Sequence, residues 1–166
     1  ASDVYKRQEM IKAGRVTVGG FKASKPATVV EPEVSIKVEA ADNDDWASRG
    51  AHKLLGALEA FDVSLKDKRV LDAGASTGGF TDVCLRNGAR EVLSVDVGYG
   101  QLLWRLQNDE RVKVLDRTNI RNLDLDITEG PCDAMVGDLS FISLKLVLPA
   151  IVDVMAEGAW LLPMVK

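Results

Sequence analysis

The sequence predicts an α/β fold with a mostly parallel sheet of about five strands, preceded by a smaller α+β segment. Three observations lead to this prediction. Apolar, strand-like runs alternate with helix-like stretches from residue 69 onward, a glycine-rich turn follows the first run, and acidic residues follow several runs. Such alternation favours a parallel sheet with helices on both faces. All strands of that sheet end along one edge, where open α/β sheets bind their ligands.

Length and composition allow one full domain with a small appendage. The 166 residues are 46% hydrophobic, which is enough for a sizeable core. A net charge of −4 does not favour a general nucleic-acid binder, so any basic surface must be local. Positive charge is concentrated in residues 1–30, and the acidic stretch 31–45 reverses it.

The cysteines and the hydropathy pattern bear on location. Cys84 and Cys132 lie far apart, in no metal-ligand spacing, which predicts buried thiols in a reducing environment and no metal site. No apolar run approaches the ~20 residues that span a bilayer, so no membrane association is expected. No signal peptide is recognisable, and we therefore expect a cytoplasmic protein.

The first forty residues predict a small, partial domain. Residues 8–13 resemble the end of a helix, which Gly14 stops. Residues 15–18 alternate polar and apolar as a strand does, Gly19 and Gly20 predict a hairpin turn, and further strands are expected within residues 21–28 and 34–38. An acidic linker, residues 41–46, follows residues 1–40.

Helices and strands alternate in the remainder, residues 47–166. Leucines at helical spacing predict a helix over residues 46–61. Strands are predicted at residues 69–71, 91–95, 112–115, 133–137 and 159–165. Helices are predicted between them at residues 78–87, 102–108 and 144–156. Tyr99 and Trp104 are expected in the core, with stacking on a splayed base as the alternative.

The stretch VLDAGASTGGF, residues 70–80, is the most specific in the chain. A buried strand ends in Asp72, and Gly74, Gly78 and Gly79 allow the following turn to approach a ligand closely. The stretch lacks the dinucleotide fingerprint G-x-G-x-x-G, and a carboxylate at the strand end suits a cationic amino-acid group better than a phosphate. An ordinary tight strand–helix turn is the alternative.

Polar groups also follow the later strands. Asp96 comes 24 residues after Asp72, and an acidic residue about 20 positions beyond such a loop accepts hydrogen bonds from ribose hydroxyls. Its alternative role is to cap the next turn. Thr118 and Asn119 stand where an adenine would lie, unless they form a plain polar loop.

Asp138 and Lys166 follow the fourth and fifth strands, so both are expected at the ligand edge. A plain ion pair is the alternative to a catalytic role for these two groups. Lys53, in the stretch SRGAHKL, is a third candidate, although a lysine of this kind, taken alone, is most often a solvated helix lysine.

Five long stretches carry a resemblance to a known family. They are WASRGAHKLLGALEAF (46–61), VLDAGASTGGFTDVCL (70–85), SVDVGYGQLLWRLQNDERVKVLDRTNIR (94–121), GDLSFISL (137–144) and the closing LLPMVK. They resemble the TlyA-type, hemolysin-like rRNA methyltransferases, whose catalytic domain is similar to that of the FtsJ-type ribose methyltransferases. The first forty residues resemble the tail of the family's ribosomal-protein-like RNA-binding domain, although SDVYKRQ (2–8) departs from it. The chain is therefore expected to be a fragment at both ends.

The resemblance implies a Rossmann-like class I methyltransferase. The reaction would carry a methyl group from S-adenosylmethionine to a ribose 2′-hydroxyl, that of a cytidine, in ribosomal RNA or ribosomal subunits. The residues implied to bind the cofactor are Asp72, Gly74, Ser76, Thr77, Gly78, Gly79, Phe80, Asp96, Val97, Thr118, Asn119 and Asp138. Lys53, Asp138 and Lys166 match three members of a Lys-Asp-Lys-Glu catalytic group, whose glutamate would lie beyond Lys166.

In the expected mechanism the ribose hydroxyl, which is a weak acid, must lose its proton as it attacks the methyl group. Lys166 is expected to act as the base, Lys53 as its cationic neighbour and RNA contact, and Asp138 as the orienting acceptor. A lysine accepts a proton only when neutral, and which lysine loses its proton stays open. The residues expected to bind RNA are Lys12, Arg15, Lys22, Lys25, Arg49, His52 and Lys53. His52 fits a plain helix-surface position equally well.

Two other classes of function stay open. An NAD-dependent oxidoreductase requires G-x-G-x-x-G, which the sequence lacks. A non-catalytic RNA-binding or hemolysin-like protein is the other, although no basic amphipathic helix favours lysis. A pure RNA-binding module does not need Asp72, Asp96 and the glycine loop together.

Overall fold

The computed structural model describes residues 7–8, 10–12, 14–38 and 45–166. The chain divides into two compact units, Ala1–Asp45 and Trp46–Lys166. This division falls within the predicted linker 41–46, of which residues 41–44 lie outside the described ones. Most of the segment 2–8 also lies outside them.

The small unit contains a short antiparallel sheet. Residues 7–8 and 10–12 are helical and precede a turn at Gly14. Strand β1 (Val16–Val18) pairs with both β2 (Phe21–Lys22) and β3 (Ile36–Val38), in the order β2-β1-β3. The hairpin predicted at the glycine pair is confirmed, since both glycines have positive φ between β1 and β2.

The large unit alternates strands and helices. Its elements are α1 (Ala51–Phe61), β4 (Arg69–Ala73), α2 (Gly79–Arg86), β5 (Glu91–Val95), α3 (Trp104–Gln107), β6 (Val112–Leu115), a 3₁₀ turn (Ile120–Asn122), α4 (Leu125–Thr128), β7 (Cys132–Gly137), α5 (Leu144–Asp153) and β8 (Met155–Pro163). Strands β4 to β8 form one sheet in the order β6-β5-β4-β7-β8, and every pair in it is parallel. The predicted α/β fold with a parallel sheet is confirmed.

Alternate residues of the central strands face opposite sides of the sheet, and each side has its own core cluster. The cluster under helices α1, α2 and α3 includes Leu54, Val70, Val83, Val92 and Leu106. The cluster under the 3₁₀ turn and α5 includes Leu71, Leu93, Ile120, Val147 and Ile151. Each such buried side chain contributes about 1.5–3 kcal/mol of transfer free energy. Burial of both faces accounts for the almost uninterrupted apolar runs of these strands.

The first helix of the large unit begins later than predicted, at Ala51 rather than residue 46. Residues 47–50 form a turn instead. The Ala47 N–H donates a 2.9 Å hydrogen bond to Asp82 Oδ2, and the Gly50 N–H donates one of 3.2 Å to Ser48 Oγ. Side-chain acceptors thus hold the backbone of this segment in a non-helical path.

The last strand also differs from its prediction, because it begins at Met155, where the helix was expected to continue. Cys132 of β7 faces Met155, whereas Ala134 faces Trp160, so β8 carries extra residues. Gly158, with a φ of 76°, accommodates this irregularity. Lys166 therefore lies three residues beyond the end of β8.

Two short helical elements were not predicted. Asp124 Oδ1 caps α4 by accepting a 2.8 Å hydrogen bond from the Ile127 N–H. Asn119 Oδ1 caps the 3₁₀ turn by accepting one of 3.0 Å from the Arg121 N–H. Both caps are residue types that favour helix starts, so the sequence did contain a local indication.

Candidate active site

Small or acidic residues follow the strands of the parallel sheet and line one cavity. Gly74 follows β4, Asp96 follows β5 and Asp138 follows β7, while Asn119 lies in the segment after β6. The cavity between them has a volume of about 530 Å³. Its other lining residues are Ser76, Val95, Val97, Gln101, Ile120, Leu139, Ser140, Phe141 and Ile142. A concave site therefore exists at the edge of the sheet where a ligand was expected.

The glycine loop after β4 requires glycine at two positions. Gly74 has a φ of 83°, and a Cβ there would lie 3.2 Å from Leu139 Cδ2 and 3.3 Å from the Asp138 carbonyl oxygen. Gly78 has a φ of 98°, and a Cβ there would lie 2.4 Å from Leu106 Cδ1. The loop can approach its neighbours this closely only without side chains at these points.

A smaller cavity of about 280 Å³ adjoins the first, since Gly74, Ser76, Asp138 and Ser140 line both. Its other lining residues are Ser48, Gly50, Ala75, Thr77, Gly79 and Phe80. All predicted loop residues from Gly74 to Phe80 except Gly78 thus line a cavity, and Gly78 caps α2. Ser48 and Gly50 were not predicted, although they belong to the same SRGAHKL stretch as Lys53.

Asp96 is held by backbone N–H groups on both carboxylate oxygens. Its Oδ2 accepts a 2.8 Å hydrogen bond from Ser76, and its Oδ1 accepts one of 2.8 Å from Gly98. Asp96 therefore does cap the turn after β5, and it also fastens the glycine loop. Each carboxylate oxygen has two lone pairs, so capacity remains for a hydroxyl in the cavity.

Asp72 lies within β4 and lines neither cavity. Its side chain is fully buried, its Oδ2 accepts a 2.6 Å hydrogen bond from the Thr81 hydroxyl, and its Oδ1 has no hydrogen-bond partner among the described residues. Burial raises the pKa of Asp72 to about 7, although hydrogen bonds from Thr81 act in the opposite direction. Asp72 thus contacts the first turn of α2 from within the sheet, and its expected contact with a ligand stays a prediction.

The raised pKa of Asp72 predicts a loss of stability as the pH rises. Between the ordinary pKa of 3.8 and about 7, the carboxyl holds its proton only in the folded chain. The stabilisation that this proton gives the folded chain is therefore complete below pH 3.8 and lost above about pH 7. The free energy of unfolding should fall by at most ~1.4 kcal/mol per pH unit there. We expect Asp72→Asn to flatten this decline in urea unfolding at pH 5, 6, 7 and 8. An equally steep decline in the variant would contradict the assignment.

Three charged side chains from distant parts of the chain meet beside the cavities. Lys53 Nζ lies 2.9 Å from Asp138 Oδ2, and Lys166 Nζ lies 2.7 Å from Asp138 Oδ1. Lys166 also donates a 2.9 Å hydrogen bond to Ser140 Oγ. Partial burial would raise the pKa of Asp138, but hydrogen bonds from Lys166 and Lys53 outweigh it and lower the pKa. Both lysine side chains remain nearly half exposed, at 49% and 45%, so a large substrate can reach them.

The residues predicted near the adenine have different positions. Asn119 and Val97 line the larger cavity, whereas Thr118 lines neither. The Thr118 hydroxyl donates to the Asp116 carbonyl (3.0 Å), and its N–H donates to the Asp96 carbonyl (2.9 Å). Thr118 therefore joins the loops after β5 and β6, and its expected place near the adenine stays a prediction.

Phe141 is a cavity residue that the sequence interpretation did not single out. Its side chain is fully exposed, and its φ of 63° is strained for an aromatic residue. Strain of this kind concentrates at functional sites. The sequence contained one indication that Phe141 lies at the site: in the stretch GDLSFISL it follows the end of a strand by a few residues.

Tyr99 and Trp104 are exposed, at 70% and 75%, so their expected core role is wrong. The Arg117 guanidinium lies 4.3 Å from the centroid of the Tyr99 ring. Arg117 itself has a left-handed φ of 52°, and its N–H donates to the Gly98 carbonyl at 2.9 Å. The stacked pair is thus held between the loops that follow β5 and β6.

The basic residues expected to contact RNA are mostly at the surface. In the large unit, Arg49, His52 and Lys53 are exposed at the start of α1. In the small unit, Lys12, Lys22 and Lys25 are exposed and Arg15 is half-buried.

Both cysteines are free and buried, which confirms that prediction. Burial raises the pKa of Cys132 to about 11, so this thiol stays protonated. Among the described residues, no group of His, Cys, Asp and Glu side chains is placed to hold a metal ion. No helix within the same residues has the length and apolar character to cross a membrane.

Comparison with known proteins identifies relatives along almost the whole chain. The rRNA methyltransferase TlyA of Mycobacterium tuberculosis, a 16S/23S rRNA (cytidine-2′-O)-methyltransferase, is 52% identical over 158 residues, which cover 95% of this chain and 59% of that protein. Hemolysin A of Brachyspira hyodysenteriae is 37% identical over 147 residues, covering 88% and 60%. The chain thus spans about 60% of the length of these curated relatives.

A solved structure from Streptococcus thermophilus, provisionally named a hemolysin, superposes with a TM-score of 0.73 at 38% identity and covers 98% of this chain and 60% of that one. The model of the FtsJ-like methyltransferase family matches residues 46–164. The match contains the whole parallel sheet, the glycine loop, Lys53 and Asp138, and it removes the support for an oxidoreductase. The chain therefore belongs to the FtsJ-like methyltransferase family.

Proposed function

We propose that this protein transfers a methyl group from S-adenosylmethionine to a ribose 2′-hydroxyl of ribosomal RNA. One observation carries the proposal: Lys53, Asp138 and Lys166 form one cluster directly beside a cavity built from the glycine loop and Asp96. The name of the Mycobacterium tuberculosis relative, at 52% identity, supports a cytidine of rRNA as the substrate. Such a substrate would place the reaction in the cytoplasm.

The residues present fit S-adenosylmethionine. The larger cavity, at about 530 Å³, is of the size that holds such ligands, and Val95, Ile120 and Ile142 offer apolar walls to an adenine. Asp96 can accept hydrogen bonds from the ribose hydroxyls. The smaller cavity, lined by the glycine loop, would receive the methionine part. The buried Asp72 Oδ1 has no hydrogen-bond partner among the described residues and remains available as an acceptor.

The protein's own residues must prepare the ribose hydroxyl. The cofactor, when bound, supplies a methyl group that is already activated on a sulfonium. Alignment of the hydroxyl can lower the barrier by several of the ~7–11 kcal/mol that ideal orientation provides. A positioned base adds about 10²–10⁴-fold. We assign that base to Lys166, whose Nζ, when neutral, would take the proton of the ribose hydroxyl.

The other two members of the cluster serve Lys166 and the substrate. Asp138 accepts a hydrogen bond from Lys53 and forms an ion pair with Lys166, so it keeps both amino groups beside one carboxylate. Lys53, at the exposed end of α1 with Arg49 and His52, would contact the RNA backbone. Phosphate contacts of this kind supply affinity without sequence choice. The exposed lysines of the small unit would add to them.

The Tyr99–Arg117 pair would stack an unpaired RNA base. Base–aromatic stacking is worth about 1–3 kcal/mol, so Tyr99→Ala should weaken RNA binding about tenfold while Tyr99→Phe retains it. Stacking releases no counterions, so Tyr99→Ala should leave the salt dependence unchanged, whereas Arg117→Ala should reduce its slope. Fluorescence anisotropy with an rRNA fragment at several salt concentrations measures both effects. Wild-type affinity in Tyr99→Ala would exclude the stacking role.

The test of the proposed function is transfer of a labelled methyl group to ribosomal subunits by the full-length protein. A 2′-O-methyl group blocks alkaline cleavage of the adjacent phosphodiester, so the label should appear in alkali-resistant dinucleotides. Label recovered in mononucleotides would show base methylation instead. Lysis of erythrocytes without any methyl transfer would favour the alternative, a non-catalytic hemolysin-like protein.

A further inference from the structure

Ser140 lies where the two cavities meet and contacts the proposed base. It lines both cavities, and its hydroxyl oxygen accepts a 2.9 Å hydrogen bond from Lys166 Nζ. The backbone segments that carry the two residues are tied together, because the Met164 N–H donates a 2.8 Å hydrogen bond to the Gly137 carbonyl. The contact is therefore supported by the sheet, although Ser140 and Lys166 are 26 positions apart in sequence.

We infer that Ser140 is a positioning residue for Lys166, which directs the lone pair of the neutral amine toward the ribose hydroxyl. This inference rests on the proposed function, in which Lys166 is the base. No motif in the sequence indicated a function for the Ser140 hydroxyl.

The geometry of the amino group explains the effect. An ammonium has three N–H bonds, and among the described residues Lys166 has two polar partners, Asp138 Oδ1 at 2.7 Å and Ser140 Oγ at 2.9 Å. Loss of one proton leaves the lone pair at the position that faces neither oxygen, while one N–H stays bound to Ser140 and the Asp138 carboxylate stays beside the amine. With Asp138 as the sole acceptor, the lone pair can occupy either of two positions. The hydrogen bond to Ser140 excludes one of these two positions of the lone pair.

The same contact influences the protonation of Lys166. The serine oxygen stabilises the charged ammonium more than the neutral amine, because hydrogen bonds from charged donors are stronger. Removal of the hydroxyl should therefore have two opposite consequences. Lys166 should lose its proton at a lower pH, and the maximal rate should fall because the lone pair is less well directed. A merely structural role of Ser140 would not shift the pH dependence in this direction.

The experiment compares three variants of the full-length protein. Ser140→Ala removes the hydroxyl, Ser140→Thr retains it, and Ser143→Ala is the matched control, because Ser143 is an exposed serine of the same loop that lines neither cavity. Methyl transfer to ribosomal subunits is measured against pH, and S-adenosylmethionine binding is measured by calorimetry without RNA. The titration of Lys166 is followed by NMR of ¹³Cε-labelled lysine, with the resonance assigned through Lys166→Arg.

For Ser140→Ala we expect a maximal rate about tenfold lower, the equivalent of one hydrogen bond. The rise in rate and the Lys166 titration should both move to lower pH, with cofactor affinity within about threefold. Ser140→Thr, which retains the hydroxyl, should restore the wild-type pH dependence and most of the rate that Ser140→Ala loses, and Ser143→Ala should behave as the wild type does.

Several results would overturn the inference. One is an unchanged rate and pH profile in Ser140→Ala. Another is a defect in Ser140→Thr as large as that in Ser140→Ala. A third is a loss of cofactor affinity that accounts for the whole loss of rate. Absence of methyl transfer by the wild type would instead refute the proposed function. The NMR titration would then decide separately whether Ser140 acts on Lys166, since an unshifted resonance in Ser140→Ala would reject the contact.

Discussion

Replacement of Lys166 by alanine is expected to abolish methyl transfer to ribosomal subunits, because a general base contributes ~10²–10⁴-fold to the rate. The affinity for the cofactor should stay within about threefold, because a general base contributes little to binding. Lys166 contacts Asp138 and Ser140 but lines neither cavity. Its removal should therefore separate chemistry from binding. Initial rates with labelled cofactor and calorimetry of the same preparation measure the two effects.

Lys166→Arg should also be inactive, because arginine retains positive charge but cannot accept a proton. The wild-type rate should rise with pH as a lysine loses its proton. Lys145→Ala is the control, since Lys145 is an exposed lysine of α5 outside the cluster. Near-normal turnover of Lys166→Arg would exclude the general-base role and make Lys166 an electrostatic contact to the RNA.

Gly74→Val is expected to abolish S-adenosylmethionine binding. The φ of 83° is unfavourable for a β-branched residue, and the new side chain would extend from a Cβ only 3.2 Å from Leu139 and 3.3 Å from the Asp138 carbonyl. Asp96→Ala should weaken binding by about 10–100-fold, since it removes the hydrogen bonds from Ser76 and Gly98 together with the proposed acceptor for the ribose. Calorimetry measures both affinities.

A loss of fold must be distinguished from a loss of binding in these variants. Gly56→Ala is the matched control, because a Cβ there meets nothing within 4 Å and the residue lies within α1. If Gly74→Val does not fold, Asp96→Asn provides the test, since its amide oxygen retains one of the two backbone contacts. Unchanged affinity in both Gly74→Val and Asp96→Ala would refute the cofactor site.

The sequence alone determined the order of the elements and the edge of the sheet at which the polar residues gather. Hydrophobic periodicity is a local property, so β5 and β6 have the predicted bounds. Right-handed crossovers bring the carboxyl ends of parallel strands to one edge. Asp96 and Asp138 were predictable there because each directly follows a strand. The proposed roles of Lys53 and Lys166 came from the family resemblance, since a lysine has no local pattern that separates a catalytic residue from a solvated one.

Which of these groups contact one another, and which lie away from the cavities, depends on the tertiary structure. Hydrogen bonds act over about 3 Å, and no sequence pattern specifies distances of that size between segments far apart in the chain. Asp72 was expected in the cavity, yet it lies under the loop because β4 extends one residue past it, to Ala73. Tyr99 and Trp104 have apolar rings that suggest a core, but the loop after β5 and the first residue of α3 leave them exposed. Ser140 contacts Lys166 because β7 and β8 are neighbours in the sheet, and strand order is a property of the whole fold rather than of either strand.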